Sequence, residues 1–289
     1  MYGSAFYLLI VNPGCLTIMK KVSLVIPTYN QCRYLPACID HCLFQTYPNL
    51  EIIIVDGGSS DGTKAFLKDL LCDIEKRTIE PVMSMDEKGN IIREKKIVFP
   101  QNREVRIISF PEDIGATRTY NEGLKLVTGD YCTYVAGDDM LHPYMVEACV
   151  DIIEEKNVDF VYTDMDVVDD ENRIVRQMRL PDYDFYECFA RWYHIGVSHL
   201  YRTVLHDRVG LMDEENYALA NDYDHYLRFA MAGARFHHLN RILYSIRHHG
   251  DNRKTGQHTD ERYANLIEES RRCAFRARAF LAERDGGAT

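Results

Sequence analysis

The stretch Glu51-Ile-Ile-Ile-Val-Asp-Gly-Gly-Ser-Ser-Asp-Gly-Thr63 (EIIIVDGGSSDGT) decides the fold. Leu50 to Val55 reads as a buried strand, because only Glu51 interrupts its apolar run, and Asp56-Gly57-Gly58-Ser59-Ser60 stops it. Asp61-Gly62-Thr63 then opens a helical pattern carried by Phe66, Leu67, Leu70 and Leu71. Upstream, Val22 to Ile26 is another continuous apolar strand, ending at Pro27-Thr28-Tyr29-Asn30. Between the two strands, Leu35, Cys38, Ile39, Cys42 and Leu43 recur at the spacing of one helical face. Strand, helix, strand, helix is a parallel βαβ unit, whose ligands gather at the carboxyl ends of its strands. Both polar loops lie at those ends.

Downstream the rhythm breaks over residues 72–104, where Gly89-Asn90 between short apolar pieces predicts a β-hairpin insertion. It resumes with a strand at Val105–Phe110, a helix around Arg118–Val127 closed by Gly129, and a strand at Tyr131–Ala136 that runs into Gly137-Asp138-Asp139. Pro143 suits the first turn of a helix with an apolar face of Tyr144, Met145, Ala148, Cys149, Ile152 and Ile153. Val158–Tyr162 is a strand reaching Asp164 and Asp166, and Val197–Tyr201 another. Asn221 or Ala220 then precedes a helix, a strand follows at Phe236–Ile246, and a helix closes the chain at about Glu261–Glu283.

With 46% apolar and 27% charged residues over 289, the chain is long and apolar enough to bury a core without metal or disulfide staples. Its 34 Lys and Arg against 44 Asp and Glu give a net charge of −10, which excludes a general nucleic-acid footprint. An anionic ligand must then be met by local basic groups, helix N-termini or a bridging cation. The nine cysteines contain no zinc-type CxxC pair, and reduced core cysteines of a cytoplasmic protein are expected. No apolar run reaches the length of a membrane span, and Met19-Lys20-Lys21 just before the first strand marks residues 1–20 as an extension that need not be native.

Asp56, Asp138, Asp139 and Asp164, at or just beyond strand ends, aim several acids at one rim. Such a set suits a nucleotide diphosphate and a divalent cation, although any single Asp after a strand also serves as an ordinary turn former.

Taken in order, VSLVIPTYN (22–30), EIIIVDGGSSDGT (51–63), GATRTYNEG (115–123), Thr128-Gly129-Asp130-Tyr131 and Asp138-Asp139 resemble the family 2 glycosyltransferases from about Lys21 to about His249. That resemblance implies a GT-A-like, Rossmann-type α/β sandwich with a mostly parallel central sheet and helices on both faces. Its nucleotide-binding half would span 21–140 and its acceptor-binding half 141–246, with a helical tail at 247–289. It implies that Pro27, Thr28, Tyr29 and Asp56 line the base pocket, that Asp138 contacts the donor, and that Asp139 is the main ligand of Mn²⁺ or Mg²⁺. Ala136-Gly137 stand where many members carry a further acid.

The resemblance also implies an inverting transfer from a nucleotide-diphosphate sugar, a UDP-sugar for preference, to a hydroxyl of a glycan or lipid-linked acceptor. Asn221-Asp222-Tyr223-Asp224 looks like the segment of the general base, with Asp222 the first choice and Asp224 the second; Asn221 replaces the Glu of many relatives. A helix N-terminus would keep that carboxylate ionised, and a plain helix cap is the competing reading. Arg118 could reach the donor, or be merely solvated. Arg247 and His249 resemble a late basic element that closes on the diphosphate. Trp192 and His194 are acceptor candidates on the general ground that aromatic faces pack on sugars. His237-His238 and His248-His249 make poor zinc sites, since neighbours on a strand face opposite ways. Arg271, Arg272, Arg276 and Arg278, interspersed with Glu268, Glu269 and Glu283, suggest a solvated helix or one that joins a second copy in a homo-oligomer, and the protein would sit in the cytoplasm or at the inner face of the membrane.

The rival enzyme classes lack their loops: Pro27-Thr28-Tyr29-Asn30 is neither the Gly-rich basic loop of a nucleotidyltransferase nor the GxGxxG of a dehydrogenase. The non-enzyme alternative is a sugar-nucleotide or glycan-binding module that has lost turnover, which Ala136 and Asn221 leave open.

Overall fold

The computed structural model describes residues 19–77, 79–97, 103–249 and 260–286, so the leader expected before Lys21 falls almost wholly outside the described residues. The first half runs β1 (Val22–Thr28), α1 (Leu35–Leu43), β2 (Leu50–Asp56), α2 (Thr63–Arg77), β3 (Ile79–Met85), β4 (Ile91–Ile97), β5 (Arg103–Ser109), α3 (Ala116–Leu124) and β6 (Tyr131–Tyr134). The second runs β7 (Met140–Leu141), α4 (Met145–Lys156), β8 (Phe160–Val168), β9 (Ile174–Met178), a π-helical turn (Tyr186–Arg191), β10 (His199–Arg202), α5 (Leu205–Val209), α6 (Asn221–Met231), β11 (Phe236–Arg247) and α7 (Asp260–Gly286).

Nine strands form one sheet in the order β5-β2-β1-β6-β10-β8-β11-β7, with β9 also paired to β8. The pairs from β5 to β6 are parallel, as the apolar runs predict. Beyond β6 the sheet is mixed, since β10 runs antiparallel to both β6 and β8 while β8 and β11 are parallel. The parallel half therefore delivers its loops to one rim, and β10 marks where strand direction switches. The hairpin expected within 72–104 is present as β3 and β4, an antiparallel pair forming its own two-stranded sheet.

Every residue of β1 and β2 is buried because helices cover both faces of the sheet. Val22, Leu24 and Ile26 pack with Leu35, Ile39 and Cys42 of α1, Leu67 and Leu70 of α2, and Met145 and Ile153 of α4. Val25 belongs to the opposite core with Leu124 of α3, Tyr226 and Phe229 of α6, and Cys273, Ala274 and Ala277 of α7. Each fully buried aliphatic side chain here contributes about 1.5–3 kcal/mol.

Glu51 interrupts the apolar run of β2 as a carboxylate with no exposed surface. It accepts from the Ser23 hydroxyl, from Thr128 N at 2.7 Å and Oγ1 at 2.9 Å, and from Gly129 N at 3.1 Å. It also pairs with Lys21 at 3.0 Å and with Arg106. Burial alone would raise its pKa, but the bonds from Ser23, Thr128 and Lys21 outweigh that and hold it down at about 2.

Four local expectations change. Helix α3 stops at Leu124, and Gly129 serves close approach instead of capping it: a Cβ there would sit 2.7 Å from Lys21 O. Tyr144 is exposed just before α4 and does not join its apolar face. Asp164 lies inside β8, which runs on to Val168, about 13 Å along the strand from its end. There it accepts from Leu180 N at 2.9 Å, pairs with Arg179 at 2.8 Å and lies 2.9 Å from His238, so it is no part of the acidic rim. The closing helix is no solvated tail, because its Cys273, Ala274 and Ala277 face is buried in this chain's own core.

Candidate active site

The loops after β1 and β2 are fastened to each other before any ligand arrives. Asn30, in the left-handed region at φ 53°, donates its N–H to Ser59 Oγ at 2.8 Å and accepts from Ser60 N at 2.7 Å through Oδ1. Thr28 is buried and donates to Gln31 Oε1 at 3.0 Å. The Pro27 carbonyl accepts from Gly137 N at 3.1 Å, which ties β1 to the acidic loop. Asp56 is fully buried; one oxygen accepts from Ser59 N at 2.9 Å and the other from the Ser109 hydroxyl at 2.6 Å. A carboxylate has about four acceptor positions, so Asp56 keeps capacity for a base N–H. Tyr29 bonds to Asp113 across the rim, and that bond, then burial, raises its hydroxyl pKa. Gly58, at φ 102°, passes so close to the next loop that a Cβ would lie 1.9 Å from Glu112 O.

Asp138 and Asp139 are both buried but do different work. Asp139 accepts from the Tyr244 hydroxyl and from Arg247 N, each at 2.8 Å, and so ties its loop to β11. Asp138 Oδ2 instead lies 2.8 Å from His249 Nε2, whose Nδ1 lies 3.0 Å from Asp170. Tyr34 donates to Asp170 at 2.7 Å and packs edge-on against His249. An imidazole backed by a carboxylate and facing an acid is how a metal-binding His is oriented. Among the described residues no group of three or more His, Cys, Asp or Glu is arranged to hold a cation by itself. The donors present fit a cation whose remaining ligands come from a diphosphate and water.

Arg247 does not reach toward a donor as expected. Its guanidinium is buried, donating to the carbonyls of Asp138 at 2.9 Å and Asp169 at 2.6 Å and to Asn172 Oδ1 at 2.6 Å, above the Tyr34 ring. Three acceptors already fix it in place. Arg118 is exposed on α3, 4.0 Å from Glu122.

Asp222 stands in the first turn of α6, behind Ala220 at the N-cap, which offers no side-chain cap. Its N–H donates to Asn221 Oδ1 at 2.7 Å, and its Oδ1 accepts from Tyr223 N at 2.8 Å. Asn221 is itself held by Thr117 of α3, donating to Oγ1 at 3.0 Å. Burial pushes the Asp222 carboxyl up to about 6, with bonds from Tyr223 N and the Tyr193 hydroxyl opposing it. Desolvation therefore outweighs the helix N-terminus that was expected to keep the group fully ionised.

Asp224, the second choice, is buried with its two oxygens bonded to Arg228 at 2.8 Å and to Arg276 of α7 at 2.5 Å. Trp192 and His194 are half-buried on either side of Tyr193. The His194 ring lies 2.8 Å from Glu187 O, and Tyr193 is the aromatic that meets Asp222.

One hydroxyl connects the two acidic regions. Burial raises the Tyr120 pKa above the ordinary tyrosine range, and the charges of Asp139, Asp222 and Asp138 raise it further. Tyr120 thus lies within electrostatic reach of both the Asp138–Asp139 pair after β6 and Asp222 of α6. Nothing in the sequence marks Tyr120, Tyr193, Asp170 or Tyr34 for these positions, because each meets its partner through the fold.

Glycosyl transferase family 2 matches residues 23–79 and 83–212. The chain is 31% identical over 142 residues to the glycosyltransferase GlyG of Streptococcus pneumoniae, covering 49% of this chain and 38% of that one. It is 27% identical over 249 residues to the hyaluronan synthase of Pasteurella multocida, covering 85% of this chain but only 22% of that one. Among solved structures, S. aureus TarS 1–349 in complex with UDP-GlcNAc shares the fold at TM-score 0.62 and 18% identity, over 91% of this chain and 71% of that one. The mannosyltransferase PcManGT of Pyrobaculum calidifontis, in complex with GDP-Man and Mn²⁺, does so at TM-score 0.56 and 16% identity, over 93% and 76%. The fold is shared with those structures, and with about 65% of its length matched by the family pattern the chain belongs to glycosyl transferase family 2.

Proposed function

We propose that this protein transfers a sugar from a nucleotide-diphosphate sugar to an acceptor hydroxyl with inversion, in the synthesis of a polysaccharide or surface glycan. The observation that best supports the reading is the setting of Tyr120, on which the charges of the Asp138–Asp139 pair and of Asp222 act together. The TarS and PcManGT structures hold UDP-GlcNAc and GDP-Man, which supports a nucleotide sugar as donor; a UDP-sugar is our choice because the TarS complex, of higher TM-score, holds UDP-GlcNAc.

Asp56 would accept from the base, and Thr28 and Tyr29 would border it. Asp139 would be the main ligand of Mn²⁺ or Mg²⁺, with Asp138 and His249 beside it. When bound, the cation supplies positive charge against the diphosphate. Asp222 takes the proton of the acceptor hydroxyl as its oxygen bonds to the anomeric carbon, and the bond from that carbon to the diphosphate breaks with its electron pair leaving on the diphosphate. Tyr193 holds Asp222 in place.

Release of nucleoside diphosphate from UDP- and GDP-sugars with Mn²⁺ tests the reading, and binding without release in every combination would instead identify a binding module. Asp139→Asn should weaken Mn²⁺-dependent UDP binding at least tenfold by calorimetry, and Asp138→Asn and His249→Ala should weaken it less. If Asp139→Asn leaves the metal dependence unchanged, the ligand assignment is wrong.

A further inference from the structure

We infer that Glu269, on the C-terminal helix, is a positioning residue for Asp222, which makes α7 part of the catalytic apparatus; this rests on the reading of Asp222 as the base. The three residues before α6 have no side chain able to hold them, being Ala218, Leu219 and Ala220. Their backbone amides converge on one carboxylate from a helix fifty residues later. Glu269 is buried, and its Oε2 accepts from Leu219 N at 2.9 Å and Ala220 N at 2.8 Å while Oε1 lies 3.4 Å from Ala218 N. Charge-assisted bonds of this kind are about twice as strong as neutral ones, and three successive amides around an anion form a rigid nest.

The other side of the same segment is held by α3, where the Thr117 hydroxyl donates to Tyr217 O at 2.9 Å. Asn221 and Asp222 follow immediately, so the direction in which Asp222 leaves the loop is set by this two-sided clamp. Further contacts bring α7 to the same place. Arg276 holds Asp224, two residues past Asp222, and Arg272 donates to Asn216 O at 2.7 Å. Glu269 touches neither Asp222 nor the acidic pair in any of these bonds, so it acts through the backbone. A base displaced by about 1 Å can cost 100-fold in rate, which is the scale on which loss of the clamp should be read.

The test is a double-mutant cycle in the full-length chain, with release of UDP from a UDP-sugar and Mn²⁺ as the rate and UDP affinity measured separately. Glu269→Ala should lower kcat about 10- to 100-fold, with donor KM and UDP affinity within about twofold of wild type, since the donor rim lies on β1, β2 and β6. Glu269→Gln retains an amide oxygen for the Leu219 and Ala220 amides and should recover most of the rate. In an Asp222→Asn background, Glu269→Ala should cost nothing further. Additive losses, or an unchanged kcat in Glu269→Ala, would overturn the proposal. If Glu269→Ala does not fold, Glu269→Asp, one methylene too short to reach the amides, takes its place in the cycle. Should Asp222→Asn alone turn over normally, it is the base assignment that fails, and this outcome is separate from either result at Glu269.

Discussion

The pH dependence of turnover is the sharpest consequence of the environment of Asp222. Its carboxyl is pushed up to about 6 by burial, and in the role proposed for it only the ionised form could take the acceptor proton. With that value the base form is about 91% of the protein at pH 7, half at pH 6 and about 9% at pH 5, so kcat should fall about tenfold between pH 7 and pH 5. The Tyr193 hydroxyl opposes the upward push by bonding to the ionised carboxylate. Tyr193→Phe removes that bond and leaves the burial, so the limb should move to higher pH and activity at pH 6 should drop more than activity at pH 8. Release of nucleoside diphosphate at saturating donor, followed from pH 5 to pH 9 in both proteins, measures this directly. A wild-type profile flat between pH 5 and pH 7, or a Tyr193→Phe limb displaced to lower pH, would refute the reasoning.

Other outcomes follow from the scaffold. The fully buried Glu51 has its pKa held at about 2 against an ordinary 4.5, which at about 1.36 kcal/mol per pH unit corresponds to about 3 kcal/mol of stability. Because the folded value is the lower one, that stability is present above about pH 4.5 and is lost as pH falls toward 2. Glu51→Gln should therefore be about 3 kcal/mol less stable in urea at pH 7, and the gap should close on acidification; a gap that stays constant with pH would count against the account. Gly58→Ala should cost about 3 kcal/mol or more and weaken UDP binding, since its Cβ would lie 1.9 Å from the Glu112 carbonyl in a backbone conformation that side chains disfavour; near-normal urea stability would show that the two loops can part.

The parallel half was legible because its signals are local. A strand covered on both faces must be apolar throughout, and the helical spacing of Leu35, Cys38, Ile39, Cys42 and Leu43 matches the buried face of α1. The mixed half was harder to read. Nothing in Val197–Tyr201 tells which neighbour β10 takes or that it runs opposite to β6, and the end of β8 was missed because Asp164 and Asp166, polar residues inside a strand, look like its end. The site divides the same way. Asp56, Asp138, Asp139 and Asp222 stand out by position in short motifs. Which partners the paired acids take depends on Tyr244, Arg247 and His249, more than a hundred residues later. Likewise, Asp224 ranks second to Asp222 by sequence, and it is Arg276, from the last helix, that takes it up.

The bonds to Glu51 also fix where this protein could be recombined with a relative. One buried carboxylate joins Ser23, Arg106, Thr128 and Gly129, so the segments from β1 through the turn before β6 form a single inheritable block. A crossover placed in the β3–β4 hairpin, inviting because it forms its own small sheet, would sever Glu51 from Arg106, Thr128 and Gly129 and leave the acid facing whatever the foreign piece supplied. A seam just after Gly129 keeps the acid with all its donors, so that the segment from β1 to that turn can travel into a chimaera as one piece.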